Sequence, residues 1–141
     1  MALAAAQVID AVAALLAPLP ASAGRVYTSR AWPLTLAGLP AWRVTAEEES
    51  VVPFMLSGEN EHTLAISARA FAAAVDDLDD VLHTLAAGGL ALIFAGTPPH
   101  ALRLSGIRRE LATEGEAMVG VITLRLQATF YVHPQNPETI L

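Results

Sequence analysis

The sequence predicts an α+β domain: a mostly antiparallel or mixed β-sheet with two helices packed on one face. Three observations predict it. Apolar residues recur at helical spacing near the start, they do so again in the middle, and apolar and polar residues alternate over much of the remainder. At 141 residues the chain is long enough for one core of a few strands and two helices, and too short for two independent ones. Residues 1–133 are therefore read as one domain, and 134–141 as a C-terminal tail able to dock on a neighbour.

Val8, Val12, Leu15 and Leu19, with Ile9 and Leu16 beside them, predict a helix over residues 3–17 that Pro18 and Pro20 end. This opening stretch is apolar, but no positive charge precedes it and Gln7 and Asp10 interrupt it. It therefore reads as an amphipathic helix rather than a signal peptide or a membrane span. Residues 25–28 form a short extended piece, and the proline-rich stretch 32–40 a connection whose large side chains must pack on something. Residues 42–52 turn strand-like, with Trp42 and Val44 on one face and Arg43 and Thr45 on the other. Glu47-Glu48-Glu49 is expected to break that strand at a solvated end, because burying three adjacent carboxylates is costly.

After a turn at 57–60, residues 63–69 alternate cleanly, placing Leu64, Ile66 and Ala68 on a packed face. Phe71, Val75, Leu78, Leu82 and Leu85 then predict the second helix, with Asp76, Asp77, Asp79 and Asp80 toward its start and Gly88-Gly89 as its stop. Residues 90–94 read as a short strand or buried connection, and 96–99 as a loop. Residues 102–112 and 118–133 read as a long antiparallel hairpin, turning through the glycine-containing 113–116. In its last strand Met118, Ile122, Leu124, Leu126, Phe130 and Val132 share one face; Thr123, Arg125, Gln127, Thr129 and Tyr131 share a moderately polar one.

Composition narrows the function. The chain is 54% hydrophobic and carries eight Lys+Arg against fourteen Asp+Glu, for a net charge of −6. Every basic residue is an arginine and none forms a basic patch, so sequence-specific nucleic-acid binding is not expected. Acidic surface with scattered arginine suits protein contacts better. The absence of cysteine excludes zinc-thiolate sites and cysteine nucleophiles, and the absence of lysine excludes a P-loop. His62, His83, His100 and His133 stand at no metal-binding spacing. His83 lies one turn after Asp79, where a surface ion pair fits. No serine sits in a nucleophile setting. Neither catalysis nor a cofactor nor a metal site is expected.

The opening helix, Arg25-Val26-Tyr27 with Arg30 and Trp32-Pro33-Leu34, and then Leu39-Pro40-Ala41-Trp42-Arg43-Val44, resemble the start of the tail terminator proteins of long-tailed bacteriophages, the minor tail protein U family. The resemblance continues through an alternating strand ending in Arg69, the acidic Asp76-Asp77-Leu78-Asp79, a strand around Leu104-Ser105-Gly106 and a final strand ending in Phe130-Tyr131-Val132. It implies a structural protein of the virion tail, assembled in the bacterial host cytoplasm. Such proteins form a homo-oligomeric ring, typically a hexamer, that caps the tail tube, ends addition of tube protein and presents the surface joining tail to head. The implied partners are the tail tube protein and a head-tail connector or neck protein. Candidate interface residues are Arg25, Arg30, Trp32, Arg43, Asp79, Arg103, Arg109, Arg125 and Tyr131. A related neck or tail-completion protein, and a small non-enzymatic module with a ligand cavity between sheet and helices, remain alternatives.

Overall fold

A computed structural model describes residues 3–28, 38–73, 77–95, 101–114 and 117–141, and side chains outside 112–118. Arg30 and Trp32, Val75 and Asp76, the expected loop at 96–99 with His100, and the expected turn at 115–116 lie outside the described residues.

The chain is α+β, and its described residues form two helices against one face of a five-stranded mixed sheet. In chain order the elements are α1 (Ala4–Leu16), a 3-10 turn (Pro20–Ser22), β1 (Val26–Tyr27), β2 (Ala41–Pro53), β3 (Asn60–Ala73), α2 (Leu78–Ile93), β4 (Arg103–Glu114) and β5 (Ala117–Val132). The strand order is β1-β2-β3-β5-β4. Among the described residues only β1 runs parallel to its neighbour, as a two-residue pairing of Val26 with Trp42 and Tyr27 with Arg43. Two long hairpins, β2–β3 and β4–β5, therefore make almost all of the sheet, and they meet where β3 pairs with β5 along its whole length.

The alternating patterns place the core. Trp42 and Val44 of β2, Leu64, Ile66, Ala68 and Ala70 of β3, and Ile122, Leu124, Leu126, Ala128, Phe130 and Val132 of β5 all point to the helical layer and are buried. The helices answer with Val8, Ile9, Val12 and Leu16 from α1 and Leu82, Leu85, Ala86 and Ile93 from α2. Each set follows the period of its element, so each side chain that leaves water does so without turning a polar neighbour inward.

Three expectations are corrected. Phe71 belongs to β3, which continues to Ala73, and the second helix begins only at Leu78. Phe71 faces away from the helices and packs with Val119 and Val121 in a second small cluster, so its spacing to the helix residues is coincidental. Gly88-Gly89 does not stop that helix, which runs on to Ile93 and absorbs the expected strand at 90–94. Here the glycines serve close packing: a Cβ on Gly89 would stand 2.8 Å from the Trp42 ring, and one on Gly88 2.6 Å from Leu19. Finally, the three glutamates do not break β2. The strand passes through them with a bulge between Ala46 and Glu48, which turns Glu48 to the open face and Glu49 to the helical one, all three side chains staying exposed.

The expected tail folds back on its own chain. Ile140 bridges to Val132, and the Leu141 N–H donates to the Tyr131 carbonyl at 2.9 Å. The Pro137 carbonyl accepts from the Ala4 N–H at 3.1 Å, and the Gln7 amide donates to the Glu138 carbonyl. α1 has no side-chain cap, so the Pro137 carbonyl supplies the acceptor that its first N–H otherwise lacks.

Candidate interaction surfaces

The helices seal one face of the sheet and leave the other open. On the open face β3 and β5 present the cross-strand rows Glu61–Tyr131, Thr63–Thr129, Ala65–Gln127, Ser67–Arg125 and Arg69–Thr123. The hydroxyls of Thr45, Ser67 and Thr123 along its middle are buried under longer neighbours. Around them lies a trough of about 380 Å³, bordered by Glu47 and Glu48 from β2, Arg69 from β3, Arg108 and Glu110 from β4, and Arg125 from β5. Its ion pairs are loose and wet: Arg69 to Glu47 at 3.8 Å and Arg108 to Glu110 at 4.0 Å. Exposed pairs of this kind contribute little to stability.

Two apolar surfaces flank this face. The first is the end of the β2–β3 hairpin, where Val51, Val52, Phe54, Met55 and Leu56 are at least half exposed and Leu56 is fully so. The turn itself is well built. The Phe54 N–H donates to the Glu59 carbonyl at 3.0 Å, the Gly58 N–H to the Met55 carbonyl at 3.1 Å, and Gly58 takes φ +101°, a left-handed value that suits glycine. The Ser57 hydroxyl donates to the Glu59 carboxylate, and this bond is the main cause that holds the Glu59 pKa below the usual carboxylate value. An ordered turn that displays apolar side chains is a contact surface in waiting.

The second surface is β4. Leu104, Ile107 and Leu111 lie on the helical side of the sheet, yet they are 38%, 39% and 61% exposed, because α2 covers β3 and β5 and stops short of the edge strand. Charge follows the same division. Between Val44 and Ala68 the chain carries five carboxylates and no arginine, whereas β4 and β5 carry Arg103, Arg108, Arg109 and Arg125 against Glu110 and Glu114. One side of the molecule is thus an acidic, apolar-tipped hairpin and the other an apolar-striped strand of mixed charge with most of the arginines.

The expected site residues divide between scaffold and surface. The Arg25 Nε donates to the Pro40 carbonyl at 3.0 Å, and the Arg25 carbonyl accepts from the Trp42 N–H, so this arginine ties β1 to the start of β2. Arg43 is half-buried with its guanidinium 5.5 Å from the Phe71 ring centre, a cation-π contact inside the molecule. Asp79 is exposed in the first turn of α2, where the helix field favours it.

Arg103 donates to the Gln127 side-chain oxygen from Nε at 3.0 Å, and again from its terminal nitrogen. Arg109 donates from Nε to His83 Nε2 at 3.0 Å. His83 therefore meets an arginine from β4 rather than making the expected pair with Asp79. Arg125 is exposed beside the trough. Of the expected set, among the described residues, Arg103 and Arg125 share the open face of the β4–β5 hairpin, while Arg109 stands on its helical face beside His83. Arg69 and Arg108 join the first two in position, as do Glu47 and Glu48. The hairpin end was missed, although its unbroken apolar run beside an acidic one is a legible sign.

Tyr131 is half-buried against Phe54, ring centres 4.6 Å apart, and its hydroxyl donates to Glu61 Oε2 at 3.3 Å. Partial burial first, and the Glu61 carboxylate second, push its pKa above the ordinary phenol value. Glu61→Gln is expected to lower that pKa without returning it to the free value, since the burial remains. Tyrosinate absorbance followed from neutral to alkaline pH, with Tyr27 as the internal comparison, checks this.

His62 Nδ1 meets Glu49 Oε2 at 2.6 Å while its ring stacks on Phe130, an arrangement that pins the β2–β3 hairpin. Neither His83 nor His133 meets a second-element carboxylate within hydrogen-bonding distance among the described residues. No group of three or more His, Asp or Glu able to hold a metal gathers there either. No described helix is long and apolar enough to cross a membrane. No protein-family model matches the chain, and no curated protein is significantly similar to it.

Proposed function

We propose that the chain is a tail terminator, a structural protein that forms a ring, six-membered by the resemblance, on the end of a phage tail tube. There it stops tube growth and offers the surface to which a connector or neck protein joins. The observation that carries this reading is the two-sidedness of the molecule. The space between helices and sheet is filled by large side chains at 2% exposure or less, while ordered apolar and charged surfaces lie unpartnered on two different hairpins. A ligand module would keep a polar cavity between α2 and the sheet; here that space is apolar and packed. Two distinct contact surfaces per copy are what a cyclic assembly requires, since each copy must both give and receive. The order of sequence features that resembles the terminator family supplies the rest of the argument, including placement in the virion tail and assembly in the host cytoplasm.

Removing the gene from the virus tests this reading. The expected result is tail tubes of uncontrolled length with no heads joined, returning to a single length when the protein is supplied from a plasmid. Headless tails of normal, uniform length would instead indicate a neck component that acts after the tube has ended.

A further inference from the structure

We infer that two copies of this chain join through β4, each strand lying antiparallel along the outer edge of the other across a two-fold axis at Arg109, so that the two sheets become one. A two-fold contact sets the same surface of both copies against itself and cannot by itself close a ring. The inference therefore goes beyond the ring reading and does not rest on it. The dimer is the state of the free protein, and its strands part before β4 meets any other partner.

The edge is open. β4 is the terminal strand of the sheet and pairs on one side only, with β5; among the described residues no segment bonds to its outer side. An edge of this length is a template for another chain. Charge of one sign along it would repel a second copy, but β4 carries both signs in an order that complements itself. Arg108 and Glu110 stand one place to either side of Arg109. Antiparallel pairing centred on Arg109 sets Arg108 of each copy opposite Glu110 of the other, and both residues lie on the open face. Further out, the bulge between Leu104 and Gly106 takes up one residue, which brings Arg103 opposite position 114, a glutamate. Moving the axis one residue either way sets Arg108 or Glu110 against its own copy, so charge fixes the register.

The helical face agrees. The same centre sets Ile107 of each copy beside Leu111 of the other, and these are exposed apolar side chains that α2 leaves bare. Each copy thus supplies cover that the stripe of the other lacks. Arg109 meets its own copy on the axis, and there its bond from Nε to His83 Nε2 at 3.0 Å holds the guanidinium toward α2.

Sedimentation velocity of the full chain without tube protein is compared with Arg108→Glu, Glu110→Arg, an equal mixture of the two, and the double variant. Both residues are exposed and their own pair is a loose 4.0 Å, so these changes leave the fold intact, which thermal melts check. The parent is expected to dimerise and each single variant to do so about tenfold more weakly. The mixture and the double variant are expected to recover, because each again sets opposite charges across the axis. Cross-linking reads the register. The chain has no cysteine, so Arg109→Cys places one thiol per copy at the axis within disulfide reach of its mate, whereas Arg103→Cys leaves the two about 30 Å apart. With a mild oxidant added, the first is expected to form a covalent dimer and the second to stay uncoupled.

A monomeric parent, single variants that associate like the parent, a mixture or double variant that fails to recover, or thiols at 103 that couple as readily as those at 109 each overturn the inference. These results leave the terminator reading standing, since tube capping decides it. A charge-rescued dimer that never caps a tube keeps this contact and removes that reading.

Discussion

Replacing Trp42 with alanine is expected to lower the stability of the fold by about 3–5 kcal/mol, the range for deleting a large buried aromatic side chain. Its ring is fully buried and stands where three elements meet: β2 carries it, α2 approaches it through Gly89, and α1 reaches the same spot through Leu16. No smaller side chain spans that gap, and the two helices are held by the packing of their own faces, so the site cannot collapse without separating them. The indole N–H has no hydrogen-bond partner among the described residues. That unpaired donor already costs something, so Trp42→Phe, which deletes it along with part of the ring, is expected to cost well under half as much as Trp42→Ala. Urea unfolding checks both: the midpoints shift in that order with unchanged slope.

Gly89→Val is expected to destabilise by about 1–3 kcal/mol from the opposite cause, too much volume where there is none to spare. The first added atom alone stands 2.8 and 2.9 Å from two carbons of the Trp42 ring and 3.2 Å from a Leu16 methyl. A buried indole cannot swing aside, so the helix must move outward or the ring must leave its rotamer. Helix propensity works the other way, since glycine is the poorer former by about 1 kcal/mol against alanine. Gly88→Ala separates the two effects. Its contact, at 2.6 Å, is the terminal methyl of the buried Leu19, the movable end of a side chain rather than a ring, and the substitution is expected to cost clearly less than Gly89→Val in the same urea experiment.

These two substitutions mark where the sequence was legible and where it was not. The period of two in Leu64, Ile66 and Ala68, and again through Ile122, Leu124 and Leu126, named the buried face of the sheet correctly, because a strand with one dry face leaves no other solution. α1 was legible for the same reason at a period of 3.6, and its range agrees with the observed Ala4–Leu16. The second helix was misplaced because glycine has two meanings. Gly88-Gly89 looks like a stop in one dimension, and is a close approach of α2 to Trp42 and Leu19 in three. Phe71 was drawn into the helix by a spacing that its true partners, Val119 and Val121, reveal only once β3 and β5 are paired.

The surfaces were less legible than the core. Hydrophobicity along a chain does not distinguish a covered apolar residue from a bare one, so the alternation through residues 102–112 does not reveal that Leu104, Ile107 and Leu111 lie beyond the reach of α2. Arginine was singled out as the interface residue type, and Arg103, Arg109 and Arg125 are exposed on the β4–β5 hairpin. Arg25 and Arg43 are instead spent inside the molecule, on the Pro40 carbonyl and the Phe71 ring. What no linear reading shows is that Glu47-Glu48-Glu49 and Arg108-Arg109 come to lie on opposite sides of the sheet, which only the strand order sets.

The measurement that tests the central claim most directly is negative-stain electron microscopy of tail tubes grown from the tube protein of the same virus, with and without this protein added during growth. The tail-terminator account predicts that tubes grown with it stop short and carry a ring of density at one end only, while those grown without it keep lengthening. Tubes of equal length with bare ends, in the presence of a folded sample, would contradict it.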